Sequence, residues 1–378
     1  MPTADELLSP ATLTALADVL AEADPGGGSW PRLRAAADRF PALGLSERAR
    51  LGRDAILGDL PGGYRQLADL TRAALDDPRL TGWMIWPLTE AIATAATTAT
   101  AGTDGGDFED GLELLAALTP MLTSEFALRT FLNADLDHTL WVVAGWTSHP
   151  DAAVRRLASE GTRPRLPWAS QVPAIMARPA ATVPVLDRLY TDDSDFVRRS
   201  VSNHLNDISR LDAGLALGTA RRWAASPAPT TAGVVRHAMR TLIKAADVDA
   251  LALVGFDTPR GALSVTGPLL RELRIPEEGE IFFDATITNT SDGEARVAID
   301  YVIHYLKANG RTAPKVFKLS ERRLGAGERI DIGRRHSFRT RSTRRHHPGP
   351  HAVELQVNGE RYGRAEFILG TPAGADTP

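Results

Sequence analysis

Arg156, Glu160 and Trp168 are the residues of this chain whose types and spacing suggest chemistry. They fall within one stretch, residues 149–169, HPDAAVRRLASEGTRPRLPWA. Arg156 and Glu160 stand four apart, so a helix carries them as neighbours on one face. A carboxylate stabilises positive charge, and preorganised charge in a water-poor site is usually the largest catalytic term. An indole face also attracts cations, by about 0.5–2 kcal/mol. Arg155, Arg156, Arg163 and Arg165 supply forked donors suited to phosphate. A surface ion pair contributing under about 1 kcal/mol would explain Arg156 with Glu160, but not the loop after them.

The elements that position these groups are legible around them. Pro150 suits a first helical position and Asp151 a first turn, where a carboxylate meets the positive end of the helix dipole. Val154, Leu157 and Ala158 make a buried stripe, with Arg155, Arg156 and Glu160 off it. Gly161 ends the helix, and Pro164 and Pro167 stiffen a cationic loop tipped by Trp168. The pattern returns: Asp195-Phe196-Val197-Arg198-Arg199 follows Ala152-Ala153-Val154-Arg155-Arg156 by 43 residues, with a weaker echo at Val235-Arg236-His237. That spacing matches HEAT-like helix pairs of roughly 40–47 residues, which stack into a solenoid with a concave binding face. Arg199, Asn203 and Asp207 form a polar stripe opposite Val197, Val201 and Leu205. His204 is a further candidate contact beside it.

The expected architecture is an α-solenoid over residues 1–255, an immunoglobulin-like β-sandwich over 256–370 and a disordered tail over 371–378. Residues 1–60 read as amphipathic helices broken by Gly26-Gly27-Gly28. Trp83 and Trp86 read as core ahead of a helix over 88–97. Residues 100–111 read as a loop whose Asp104, Asp107 and Asp110 miss the EF-hand register. Thr123-Ser124-Glu125 reads as the capped start of the next helix, and Trp141 and Trp146 mark the helix after it. Helical patterning ends near Leu253. From about Val265 the period becomes two: Phe283, Ala285 and Ile287, then Val297, Ile299, Tyr301, Ile303 and Tyr305. Asn309-Gly310 and Asn358-Gly359 are two-residue hairpin signals, and about seven strands are expected. Residues 333–351, GRRHSFRTRSTRRHHPGPH, are the most basic segment, read either as a solvated loop or as a segment tracking phosphates through Arg339, Arg341, Arg344 and Arg345. His346, His347 and His351 could bind a metal but lack a nearby carboxylate cluster.

Composition narrows the classes. The chain has 378 residues, 43% hydrophobic and 24% charged, with a net charge of −4. Cys is 0, which excludes disulfides, thiolate metal sites and a cysteine nucleophile. No secretory or membrane-spanning segment is evident, so the expected location is cytoplasmic, on the bacterial nucleoid when acting. The four lysines are Lys244, Lys307, Lys315 and Lys318; none precedes Lys244, so a Schiff-base step at the central stretch has no nucleophile.

GWMIWPLTEA, SEFALRTFL, HPDAAVRRLASEGTRPRLPWA and VRRSVSNHLNDISR together resemble the AlkC family of DNA alkylation repair glycosylases. These are HEAT-like proteins related to AlkD, some with a C-terminal immunoglobulin-like domain. The resemblance covers about residues 82–250, and the domain order extends it to the C-terminus. It implies hydrolysis of the N-glycosidic bond of cationic bases (3-methyladenine, and in this branch 3-methylcytosine and 1-methyladenine). It further implies duplex DNA on the concave face without deep base extrusion, and a β-domain gripping the backbone. By position, Glu125, Glu160, Trp168 and Asp207 carry over as site residues. Arg155, Arg156, Arg163, Arg165, Arg198, Arg199, Asn203, His204, Arg339, Arg341, Arg344 and Arg345 are candidate DNA contacts. No cofactor or metal is expected, and the enzyme would be a monomeric, monofunctional glycosylase.

An alternative from another class is a non-catalytic HEAT-repeat scaffold binding nucleic acid or protein on its concave face. It would explain the repeats and paired arginines but leaves Glu160 and Trp168 without a purpose. A metal-dependent hydrolase is disfavoured by the lack of a His/carboxylate ligand set.

Overall fold

The computed structural model of the protein describes residues 3–99, 106–259, 261–339 and 346–370. The chain divides into two compact units, Met1–Ala238 and Met239–Pro378. The short helices Arg240–Lys244 and Val248–Leu253 thus fall in the second unit, ahead of the boundary expected at 255/256.

Among the described residues the regular elements of the first unit are all helices. Its opening helix pair shows how local sequence sets the elements. Ser9 caps Pro10–Ala23 by accepting from Thr12 N, Pro10 takes the first position, and Leu13, Leu16 and Leu20 are buried on one face. Pro31–Ala37 follows after the glycine turn. Trp86 is buried in Ile85–Ala99, stacked on Phe126 at 4.5 Å, and its Nε1 donates to Glu90.

Three expected boundaries move. Residues 100–111 are not a loop throughout: a helix begins at Gly106 (Gly106–Leu118), taking Asp107 and Asp110 into its first turns, where carboxylates suit the dipole. Asp104 lies outside the described residues. Asp107 pairs with Arg65, and Asp110 with Tyr64 and Arg72. Residues 123–127 precede the next helix, Leu128–Ala134, rather than starting it; Ser124 is buried and donates to Leu115 O, which pins Glu125 in a turn. Pro150 lies before its helix, which runs Ala152–Glu160, and Asp151 caps it by accepting from Ala153 N.

The 43-residue repeat is visible at the level of single hydrogen bonds. Arg155 Nη1 donates back to His149 O and Pro150 O, and Arg198 Nη1 donates in the same way to Asp192 O and Asp193 O. Each arginine folds over the start of its own helix. Arg155 also forks onto Asp192, at 2.6 and 3.0 Å, and so links its helix to the next repeat. Ala152–Glu160 packs on Asp195–Ile208, which packs on Thr231–Ala238. Among the described residues no helix is long and apolar enough to cross a membrane.

Among the described residues the second unit carries eight strands in two sheets: β1 (Leu263–Leu270), β2 (Arg274–Ile275), β3 (Glu280–Asn289), β4 (Ala295–Leu306), β5 (Thr312–Leu324), β6 (Arg329–Ser337), β7 (Gly349–Val357) and β8 (Glu360–Leu369). One sheet has the order β1-β3-β6, the other β2-β8-β7-β4-β5. All pairs are antiparallel except β2 with β8. The eighth strand beyond the expected seven is accounted for by the two-residue β2. The alternating residues Phe283, Ile287, Val297, Tyr301 and Ile303 face a shared core with Val353, Leu355 and Phe367. Asn358-Gly359 closes β7–β8 as a two-residue turn, both residues left-handed, whereas Asn309-Gly310 sits in a longer loop, 307–311. Arg339 is exposed; Arg341, Arg344, Arg345 and the expected tail over 371–378 lie outside the described residues.

Candidate active site

Three carboxylates far apart in sequence meet in the first unit through two arginines. Glu125 comes from the pinned turn, Glu160 from the end of Ala152–Glu160, and Asp207 from the last turn of Asp195–Ile208. All three are buried, as is Arg163. Arg156 Nη1 donates to Glu125 Oε2 at 2.9 Å, and its Nη2 lies 3.7 Å from Glu160 Oε1. Arg163 Nη1 donates to Glu160 Oε1 at 2.5 Å, and its Nε to Asp207 Oδ2 at 2.8 Å. The order is acid, base, acid, base, acid.

Such charges are costly to bury unless each is paired and hydrogen-bonded. Burial alone would lower the Arg163 guanidinium, but Glu160 and Asp207 outweigh it and hold the group above its usual value. Thr123 Oγ1 donates to Glu125 Oε2, and Arg156 lies over the ring of the exposed Phe196 at 4.6 Å. Phe196 is a site neighbour that sequence reasoning does not single out. Its only signal there is an aromatic at the start of the helix that bears the second arginine pair.

Trp168 follows in the loop after Glu160. It is 62% exposed and holds a left-handed backbone, φ 65. That conformation is unfavourable for a bulky residue by about 1–3 kcal/mol, and such strain concentrates at functional positions. Arg165, in the same loop, and Arg199 are both exposed, and among the described residues neither has a carboxylate partner. An open cleft of about 500 Å³ is lined by Arg198, Arg199, Ser202, Thr230 and His237; none of the three carboxylates lines it.

The candidate DNA contacts therefore separate. Arg165 and Arg199 are available to phosphate. Asn203 Oδ1 lies 3.1 Å from His237 Nε2, close to the cleft. Arg155 and Arg198 are engaged with backbone and aspartate as helix-start braces, and Arg156 and Arg163 with the carboxylates. His204 needs a correction. It is 0% exposed, its Nδ1 donating to Ser159 O at 2.8 Å and its Nε2 meeting Thr182 Oγ1 at 3.0 Å. Burial, aided by the charges of Arg163 and Arg129, pushes it down to about 3, so it is a neutral core residue out of reach of DNA. Among the described residues no His, Cys, Asp or Glu group is arranged to hold a metal. His351 is buried against Leu306 N and His347 O.

A solved structure of Pseudomonas fluorescens alkylpurine DNA glycosylase AlkC, bound to DNA containing an abasic site analog, superposes on this chain with a TM-score of 0.81 at 33% identity, covering 98% of this chain and 100% of that one. The chain belongs to the AlkC family. The uncharacterized protein YhaZ of Bacillus subtilis (strain 168) is 34% identical over 329 residues, 87% of this chain and 88% of that protein. The family profile described as uncharacterised protein YhaZ, C-terminal Ig-like domain, matches residues 264–371. The helical unit followed by an immunoglobulin-like β unit is thus the fold of this AlkC-family chain, as the motifs implied.

Proposed function

We propose that this AlkC-family chain is a DNA glycosylase that hydrolyses the N-glycosidic bond of cationic N-alkylated bases in duplex DNA. The observation that carries the proposal is the buried, alternating chain of Glu125, Arg156, Glu160, Arg163 and Asp207, with the strained and exposed Trp168 in the adjoining loop. The AlkC likeness supports the same reading.

An N-alkylated base already carries positive charge, so it leaves readily. The bond from sugar C1′ to nitrogen breaks with both electrons passing to the base, which departs neutral. The sugar becomes oxocarbenium-like, as in glycoside hydrolysis. Carboxylate charge held in a buried, preorganised array stabilises that cation, and water then adds at C1′ and gives up a proton. The indole of Trp168 attracts the cationic base or sugar. Arg165 and Arg199 hold phosphates and set the register, without reading sequence. In the β unit, Arg339 and the basic residues Arg341, Arg344 and Arg345 grip the backbone. The enzyme acts as a monomer in the cytoplasm and leaves the abasic site unnicked.

The test is chromatographic release of free bases from methylated duplex DNA by wild type and Glu160→Gln. Wild type liberates a methylated base; the variant, still folded, is slower by about 100-fold, the scale of losing one preorganised charge contact. Absence of release from every alkylated substrate, with retained duplex binding, refutes the reading in favour of a scaffold.

A further inference from the structure

One buried cation lies outside the acid–base chain. Arg129, on Leu128–Ala134, is 1% exposed and among the largest wholly buried side chains. Among the described residues it has no carboxylate partner. Instead its Nε donates to Ser170 O at 2.9 Å, and its Nη1 to Gly161 O at 3.2 Å and Arg163 O at 2.6 Å. Burial, with the nearby charge of Arg163, pushes it down to about 10, which still leaves it charged at neutral pH.

A charge buried without a counter-ion is strongly unfavourable, and an apolar side chain would fill the same volume without that penalty. What the guanidinium gains is three backbone carbonyls, which are the two ends of a single loop. Gly161 and Arg163 open that loop and Ser170 closes it; between them stand Pro164, Arg165, Pro167 and Trp168. The helix carrying Arg129 lies tight against the loop's start, since a Cβ at Gly161 would fall 2.5 Å from Leu128 Cδ2. Asn133, one turn on, donates from Nδ2 to Gln171 O and extends the same seam. The indole of Trp168 is exposed and makes no ring or hydrogen-bond contact of its own among the described residues, so its left-handed backbone must be held from outside.

We propose that Arg129 is the positioning residue of this site: its fork clamps both ends of the 161–170 loop, fixing where Trp168 is presented and where the Arg163 side chain begins its reach to Glu160 and Asp207. A planar fork is what the task requires. A lysine ammonium is a single point donor and cannot span Ser170 O and Gly161 O in one rigid geometry. What Trp168 then acts on rests on the proposed glycosylase reading; the clamp does not.

The clamp is tested with Arg129→Lys and Arg129→Met in protein labelled with 5-fluorotryptophan. The chain has seven tryptophans, and Trp168→Phe assigns the one signal of interest. In both Arg129 variants the Trp168 fluorine resonance should shift or broaden while the other signals stay in place. Single-turnover base release should fall by about 100-fold, as a displacement of about 1 Å near reacting groups does. In a Trp168→Ala background, Arg129→Lys should then cost about 10-fold or less, because the part carried through Trp168 is already lost and only the part carried through Arg163 remains. Should Arg129→Met fail to fold, Arg129→Lys alone decides. An unmoved Trp168 resonance, or losses that multiply, overturns the clamp. Wild type that releases no base refutes the glycosylase reading, and the fluorine spectra still judge Arg129.

Discussion

Arg163→Met probes the acid–base chain most directly, because it removes one charge from between two buried carboxylates and leaves a side chain of similar length. In the native protein that charge is held 2.5 Å from Glu160 and 2.8 Å from Asp207. Without it Glu160 retains Arg156 at 3.7 Å, and the two carboxylates lose the guanidinium that joins them. Breaking a buried pair from one side costs about 3–5 kcal/mol. For a helical unit of this size that corresponds to a fall in Tm of roughly 6–20 °C, followed by the circular dichroism of the helices. The loss should depend on pH, and its sign is fixed. His204 sets that sign: the charge of Arg163 helps to hold it down, so the variant relieves part of the His204 depression and its deficit against wild type shrinks as pH falls from 7 to 5. Adding Glu160→Gln and Asp207→Asn to Arg163→Met should recover most of the loss, because no unpaired charge then remains between them. A cost under about 1 kcal/mol at both ends of that pH range would mean screened surface pairs and no organising network.

Two further outcomes separate residues with similar appearance in the sequence. His204 lies at about 3 in the fold against 6.5 in the unfolded chain, so its stabilising contribution is complete above pH 6.5 and is lost as pH falls. Wild type should lose about 2 kcal/mol from this group between pH 7 and pH 5, and His204→Gln should flatten that part of the profile in urea titrations. Arg165→Ala with Arg199→Ala should weaken duplex binding and reduce its log–log salt slope by about 1.8, leaving Tm within about 2 °C. Arg155→Ala with Arg198→Ala should do the reverse, lowering Tm while leaving the salt slope intact; the opposite pattern would mean that the braces, not the free arginines, meet phosphate.

Legibility in the sequence follows whether the signal is local. Glu160, Gly161 and Trp168 stand in one contiguous run, and the β unit announces itself by alternation through Phe283, Ile287 and Tyr301. The 43-residue offset holds down to Arg155 and Arg198, yet it does not reveal that each of these two braces the start of its own helix. A guanidinium folded over its own helix start and one facing solvent have the same sequence. His204 is misread as a DNA contact because periodicity locates a residue around its own helix only. Its surroundings, Ser159 and Thr182, come from other elements. The links from Arg156 to Glu125 and from Arg163 to Asp207 bridge 31 and 44 residues, which no local pattern encodes. Arg129 does leave a trace: a lone arginine amid Phe126, Leu128, Phe131 and Leu132. The start of the helix over Gly106–Leu118 is hidden because glycine and aspartate favour turns until a dipole gives the acids a place at its head.

The alternation of acid and base from Glu125 to Asp207 also limits how this protein can drift. Each arginine answers to two carboxylates, so replacing an arginine takes counter-charge from both, and even arginine to lysine loses the fork that reaches them at once. Tolerated change at the two arginines must therefore come with matched exchange of their carboxylates. The braces at Arg155 and Arg198 are under a milder constraint, since each answers mainly to backbone that every sequence supplies. Among related chains, the positions of Glu125, Arg156, Glu160, Arg163 and Asp207 should therefore behave as one inherited character.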